Sequence, residues 1–271
     1  MMQYGRKLIS MFSEEHRLFI KKRKRNQFYV RFTQISILIF FFILWQCLAD
    51  FHVINTFIFS SPKQMFSTII GLHKTGDLYQ HIWVTIYETL ISFGLGTFLG
   101  LIIATILWWF PFVSKVTDPY LTILNSLPKV ALGPIIIIWC GAGIRSIIFM
   151  ALLISLIITV INIYQSFINT DKNKIKLMQS LHANKWQIYT KLVFPNSFKD
   201  FISTLKINIS MSLIGVIMGE FLVSKEGIGY LIMYGSQVFN LNLVIAGIFI
   251  LCLVAAVMYY CILYLEKRLS R

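Results

Sequence analysis

Acidic residues are scarce in this chain, and charge of any kind is thin: 11 Asp and Glu stand beside 25 Lys and Arg among 271 residues. Globular domains are about 45–50% apolar and rarely gather those residues into long uncharged blocks. Here the hydrophobic fraction is 57% and the mean hydropathy +0.72, which argues against a large soluble core. Cysteine is scarce as well. Cys47, Cys140, Cys252 and Cys261 sit in or beside apolar runs without CxxC spacing. That is the pattern of small buried hydrophobes, not of a metal site or a disulfide. Catalytic signatures are missing altogether. No glycine-rich loop precedes a Lys-Ser or Lys-Thr pair, so the chain has no visible means of hydrolysing ATP. HExxH and GxSxG are absent, and His16, His52, His73, His81 and His182 form no readable ligand set. Nothing supports a membrane-embedded hydrolase, a catalytic residue, a bound metal or a cofactor in this chain.

What the chain does have is a series of apolar runs. Residues 32–49 carry no formal charge and begin straight after a cluster of lysines and arginines. Glu88 is the only formal charge between positions 81 and 110, and the stretches 147–168, 207–219 and 238–265 have none. A helical crossing of the bilayer needs roughly 17–25 residues, so most of these runs are long enough. The first run does not read as a cleaved secretory signal. Its basic region fills residues 1–31, and no small-residue cleavage site follows Trp45-Gln46-Cys47. We read it as a retained anchor.

The net charge of +14 invites a nucleic-acid reading, but its placement points to topology. Nine cations lie in residues 1–31 (Arg6, Lys7, Arg17, Lys21, Lys22, Arg23, Lys24, Arg25 and Arg31), and six more at Lys172, Lys174, Lys176, Lys185, Lys191 and Lys199. With Lys115, Lys267, Arg268 and Arg271, one side holds nineteen, against four at Lys63, Lys74, Arg145 and Lys225. The positive-inside rule then predicts both termini in the cytoplasm and no nucleic-acid partner. Lys21 to Arg25 are also suited to anionic lipid headgroups, through the same electrostatics.

The runs parse into six helices, at about 32–50, 81–109, 121–140, 146–164, 201–222 and 240–264. The second is longer than a bilayer requires, so it should tilt or project. The third contains Pro128, Gly133 and Pro134. Such breaks are tolerated in lipid only where protein or a water-filled cavity covers the freed backbone groups, which predicts a kinked helix. Gly94, Gly96 and Gly100 permit close helix approach without naming a partner. Between 51 and 78 we expect a short interfacial helix.

Glu88 is a carboxylate deep within an apolar helix. Such a group is costly in hydrocarbon, so it marks a pathway or a polar ligand, or else it packs structurally against a hydroxyl or amide. Glu220 lies near the end of the fifth helix, ahead of Lys225-Glu226-Gly227-Ile228-Gly229. There the expectation favours a cap or tether for a tight reversal over substrate contact. Asn125, Asn162 and Asn208 are expected to face the bundle interior.

The polar interval 165–200 is the largest segment between spans on the cation-rich side. Residues 171–191 read as a short helical segment, with Ile175, Leu177, Met178 and Leu181 among polar residues and Trp186, Ile188 and Tyr189 following. Phe194-Pro195-Asn196-Ser197 is expected to break the helix before the fifth span. An exposed amphipathic element with aromatic residues suits docking into a partner's groove, or alternatively lying on lipid. Periodicity leaves both open.

Across residues 78–265 the chain resembles the inner-membrane permease subunits of binding-protein-dependent ATP-driven importers, in the nitrate/sulfonate/taurine and thiamine-precursor branch. The best element runs from Pro119-Tyr120-Leu121 through Leu127-Pro128-Lys129-Val130-Ala131-Leu132-Gly133-Pro134 to Trp139-Cys140-Gly141-Ala142-Gly143. Gly219-Glu220-Phe221 to Gly227-Ile228-Gly229-Tyr230-Leu231 is similar to a second family element. The family's cytoplasmic "E-A-A-x-x-x-G" signature falls on Lys176 to His182. Here its acidic residue, both alanines and its glycine are replaced, while Pro195 and the spacing survive. Glycine normally allows the tight bend at that point, so His182 should need a different local solution.

The resemblance implies an all-α membrane protein with six transmembrane helices in a type I ABC importer permease-like bundle. Residues 1–31 would be a basic cytoplasmic segment and 32–271 the permease domain. It implies docking of two separate ATPase subunits through Met178, Ser180, Leu181, His182, Ala183, Asn184, Lys185 and Trp186, with Pro195 following. ATP and Mg would be bound by those partners. It further implies a second permease copy (a homodimer, with a heterodimer as the alternative), an extracellular or periplasmic substrate-binding protein, and a small-molecule substrate. Glu88, Asn125, Asn208 and Glu220 are the candidate pathway or structural polar residues. The Trp83-x-Thr85-x-x-Glu88-Thr89-Leu90-x-x-Phe93 region looks more like permeases associated with thiamine pyrimidine precursors or riboflavin. Nitrate, sulfonate or taurine is the alternative cargo. An ion-coupled secondary transporter or channel using Glu88, and a non-transporting scaffold, are the competing classes.

Overall fold

The computed structural model describes residues 2–269, with side chains at 16 and 18–268. Arg6, Lys7, Arg17 and Arg271, counted above in the charge asymmetry, lie outside the described side chains. The chain divides into two compact units, residues 1–64 and 65–271.

The first unit is dominated by α1 (Met2–Asp50), a single helix of 49 residues. No proline or glycine falls between Arg6 and Asp50, so nothing in the sequence stops propagation from the basic region into the first apolar run. At 1.5 Å per residue it is about 74 Å long. A four-residue helix, α2 (Thr56–Phe59), follows, capped by Asn55 Oδ1 accepting from the Phe57 amide at 2.9 Å. The expected single short helix is thus two, α2 and α3 (Pro62–Thr75).

The second unit holds α4 (Asp77–Trp109), α5 (Pro111–Ser126), a 3-10 turn (Lys129–Leu132), α6 (Gly133–Cys140) and α7 (Ile144–Ile168). After these come α8 (Lys172–Ser180), α9 (Lys185–Ile188), a π-helical turn (Tyr189–Val193), α10 (Phe194–Val223), α11 (Ile228–Gln237) and α12 (Leu241–Leu269). Among the described residues, five helices are long and apolar enough to cross a membrane. A sixth span is added if α5 and residues 129–140 count as one, bent by 87°. The bend has a local cause. Leu127, just before Pro128, takes extended backbone (φ −63°, ψ 138°), because the following pyrrolidine ring disfavours the helical region.

The break expected at Pro195 does not occur. Pro195 sits in the first turn of α10, where its missing N–H would have had no helical partner, and the helix runs on from the π turn.

Helix α7 packs along both α4 and α10. The α4 seam works by close approach: a Cβ on Gly100 would lie 2.6 Å from Thr159 Cγ2. In lipid, helices associate through such van der Waals contact and not through release of water, so small residues mark the seam. A separate apolar cluster, including Ile209, Ile228, Ile232, Ile250 and Val254, ties α10 and α11 to α12. Lys206 Nζ adds an ion pair to Glu266 Oε1 at 3.0 Å.

Candidate functional site

At one end of the second unit, the C-termini of α4 and α7 meet the segment formed by α8, α9 and the π turn. Asp171 starts α8 by accepting from the Asn173 amide at 2.8 Å. Asn184 starts α9 with a reciprocal capping box. Its Oδ1 accepts from the Gln187 amide at 2.8 Å, and Gln187 Oε1 accepts from the Asn184 amide at 2.9 Å. Between the two helices the chain turns at His182, with φ 59°. The expectation of a different local solution is corrected here. His182 enters the left-handed region itself, where His is enriched among non-glycine residues. Its amide donates to Gln179 O at 2.9 Å and that of Ala183 to Met178 O at 3.0 Å, which satisfies the last carbonyls of α8.

This segment has two faces. Inward, Ile188, Tyr189 and Val193 are buried in a cluster with Ala104, Ile163 and Phe167. The Tyr189 hydroxyl lies 2.8 Å from Thr105 Oγ1, and its ring centroid is 5.3 Å from Trp108 and 6.1 Å from Trp186. Lys185 Nζ sits 5.4 Å from the Trp109 ring centroid and donates to the Trp109 carbonyl at the end of α4. A cation is favoured there by both the ring face and the helix terminus. Outward, Leu177, Leu181 and Trp186 are exposed. Ser180, His182, Asn184 and Lys185 are exposed with them, while Met178 and Ala183 are half-buried. Pro195 is exposed on the first turn of α10.

At the opposite end of α4 and α10 lies a buried carboxylate network. Glu220, 1% exposed, accepts from Thr85 Oγ1 at 2.6 Å and from the Gly229 amide at 2.5 Å. Thr85 Oγ1 in turn accepts from the Ile228 amide at 2.8 Å, and the Gly227 amide donates to His81 Nδ1 at 2.9 Å. The first amides of α11 are therefore satisfied by one carboxylate, one hydroxyl and one imidazole, with the anion at the helix N-terminus. Gly227 has φ 105°, and a Cβ there would run into the Glu220 carboxyl. Sequence reading singled out Glu220 but missed Thr85 and His81. The only signal for them was their polarity on an apolar helix.

Glu88 is also buried and lies against Glu220, with its Oε2 lacking any hydrogen-bond partner. It lines a cleft of about 650 Å3 together with Trp83, Tyr87, Lys225 and Glu226. Asn208 is buried as expected, donating to Thr97 Oγ1 at 2.7 Å and Phe93 O at 3.4 Å. Asn162 is half-buried. Asn125 departs from expectation. It is exposed, because the broken span turns it off the bundle, and its carbonyl accepts from Lys129 Nζ at 2.8 Å. The cysteines depart too: Cys47, Cys252 and Cys261 are exposed and Cys140 half-buried, all as free thiols. They fall on outward faces of apolar helices, where the sequence alone does not distinguish surface from core.

Residues 96–271 match the family described as the binding-protein-dependent transport system inner membrane component. The chain is 29% identical to the "Probable ABC transporter permease protein" of Haemophilus influenzae, covering 83% of this chain and 91% of that relative. It is 26% identical to the formylaminopyrimidine transport permease protein of Halalkalibacterium halodurans, covering 84% and 90%. The fold is similar to a chain of the MetNI methionine ABC transporter in an inward-facing conformation. The TM-score is 0.66 at 14% identity, over 73% of this chain and 98% of that one. The chain is an all-α, multi-pass membrane protein of the inner-membrane permease class. It is the transmembrane component of an ABC-type importer that couples to a separate ATPase, and it does not itself hydrolyse ATP. By this match over most of its length, the chain belongs to the binding-protein-dependent transport system inner membrane component family.

Proposed function

We propose that two copies of this chain line the translocation pathway of an ATP-driven solute importer, with both termini cytoplasmic and residues 172–188 docked on the ATPase. The observation that carries this reading is the two-faced docking segment. Its outward Leu177, Leu181 and Trp186 are exposed, while its inward Tyr189 and Lys185 are fastened to the end of α4. A partner that moves the outer face must therefore move a spanning helix. This is a two-state element biased by nucleotide at one site and by a loaded extracellular binding protein at another. ATP and Mg are held by the two ATPase subunits.

The proposed cargo is a thiamine pyrimidine precursor or a related heterocycle. Its support is the formylaminopyrimidine permease among the relatives, and Glu88, since a carboxylate at the pathway disfavours anions. A nitrate, sulfonate or taurine cargo draws on the Lys225 amine in the same cleft and on relatives of its own, among them an aliphatic sulfonates permease of Bacillus subtilis, 25% identical over 84% of this chain, and a taurine permease of Escherichia coli.

Co-purification tests the reading. The permease is expected to hold a soluble Walker-motif ATPase in a stable complex, lost when Leu181 and Trp186 are both changed to Asp. Uptake into vesicles driven by an ion gradient without nucleotide, with no ATPase bound, contradicts it and favours a secondary transporter.

A further inference from the structure

The cleft beside Glu88 is a site in search of a ligand. Its volume of about 650 Å3 falls within the roughly 300–1,000 Å3 usual for small-molecule pockets. Glu88 is 3% exposed, lines this cleft, and has an oxygen without a donor. Buried polar atoms without partners are rare because they forfeit hydration for nothing. The oxygens of neighbouring Glu220 are already engaged by Thr85 and the Gly229 amide. At the rim, Glu226 accepts from Gln80 Nε2 at 2.8 Å. Glu88 is the cleft's buried carboxyl group, hydrogen-bonded to Glu220 through one oxygen and without a donor at the other.

The walls indicate the shape of what completes it. Trp83 and Tyr87 stand at i and i+4 on α4, on one face, and both line the cleft while remaining exposed. Two aromatic rings lining the same cleft as a carboxyl group suit a flat ring that stacks and donates at its edge. The terminal torsion of a Glu side chain is broad, so the carboxylate can turn toward a donor without strain. Lys225 is a single exposed cation, set against Glu88 and Glu226 on the same cleft.

We infer that this cleft binds a flat nitrogen heterocycle bearing an exocyclic amino group, its ring against Trp83 and Tyr87 and its N–H edge on the Glu88 carboxylate. That the cleft is a stage on the import route rests on the function proposed above; binding itself does not.

The test is equilibrium binding of radiolabelled 4-amino-2-methylpyrimidine to the full-length permease in nanodiscs. Saturable binding of one ring per chain is expected. It should weaken about tenfold in Glu88→Leu, the scale of one lost hydrogen bond. A similar loss is expected in Trp83→Ala, whose exposed position leaves the fold intact, and with 2-methylpyrimidine, which lacks the donor. Absence of binding to the wild-type chain overturns the inference. So does binding that neither substitution weakens, or preferential binding of taurine that is lost in Lys225→Met. ATPase coupling, measured separately, keeps the two readings apart. Nucleotide hydrolysis stimulated by a loaded receptor, with no ring in the cleft, sinks this inference alone. A ring bound by a permease that recruits no ATPase sinks the importer reading alone.

Discussion

The two ends of α4 are held by opposite chemistry. Near its start, Thr85 is locked to Glu220 and to the α11 amides by short hydrogen bonds in a buried site. At its finish, Trp108 and Trp109 meet Tyr189, Trp186 and the Lys185 ammonium in a stack of rings at the edge of the bundle. Directional bonds to a buried carboxylate tolerate little displacement, because each lost donor is costly. Ring faces and a cation over them keep most of their attraction through small shifts. The difference teaches where this permease is rigid and where it can yield. The carboxylate end fixes α11 on α4 and α10, and the aromatic end keeps the α8–α9 segment attached to α4 through contacts that tolerate small shifts.

The largest expected effect breaks the rigid end. Glu220→Ala strands the Thr85 hydroxyl and the Gly229 amide in a buried site. Losing two hydrogen bonds to a charged group costs about 3–6 kcal/mol. Thermal unfolding of the detergent-solubilised permease should fall steeply or yield no folded protein. Gly227→Ala should act on the same network by about 2 kcal/mol, through the strained φ and the clash with the Glu220 carboxyl. Because both act on one network, their costs should not add in the double variant.

The yielding end should respond in the opposite way. Lys185→Met removes the cation from the Trp108 and Trp109 faces and from the Trp109 carbonyl. Stability should drop by only about 1 kcal/mol, yet nucleotide hydrolysis by the assembled complex should lose its response to the loaded binding protein. Intact coupling in this variant would show that the aromatic end is only packing. The smallest effect is that of glycine at the bend. His182→Gly should be neutral or stabilising by up to about 1 kcal/mol, since glycine occupies the left-handed region freely. His182→Val should cost about 1–2 kcal/mol by the same unfolding measurement.

Much of this architecture was legible in the sequence, for identifiable reasons. Apolar run lengths located the spans, and Pro128 with Gly133 and Pro134 located the broken one, because those signals are local. The segment from α8 to the π turn read from composition as one short two-faced helical stretch, and only the family resemblance placed a bend at His182. No pattern of hydrophobicity encodes a single φ, so composition alone left that bend unseen. Pro195 misled for a similar reason: whether a proline breaks a helix or begins one depends on a register that composition leaves open. The meeting of Thr85 and Glu220, 135 positions apart, was not legible at all, since pairing between helices is set by packing in three dimensions. Asn125 and the outward cysteines belong to the same class: their helices were visible, but not the faces they would fall on.

The central claim is that the segment from α8 to the π turn carries the ATPase's motion into the spans. Hydrogen exchange on the permease alone and in complex with its ATPase tests it most directly. The account predicts new protection across residues 172–188, strongest around Leu181 to Trp186, with altered exchange at the ends of α4 and α7 when nucleotide is added. Protection on another surface, with residues 172–188 unchanged by the ATPase, would contradict it.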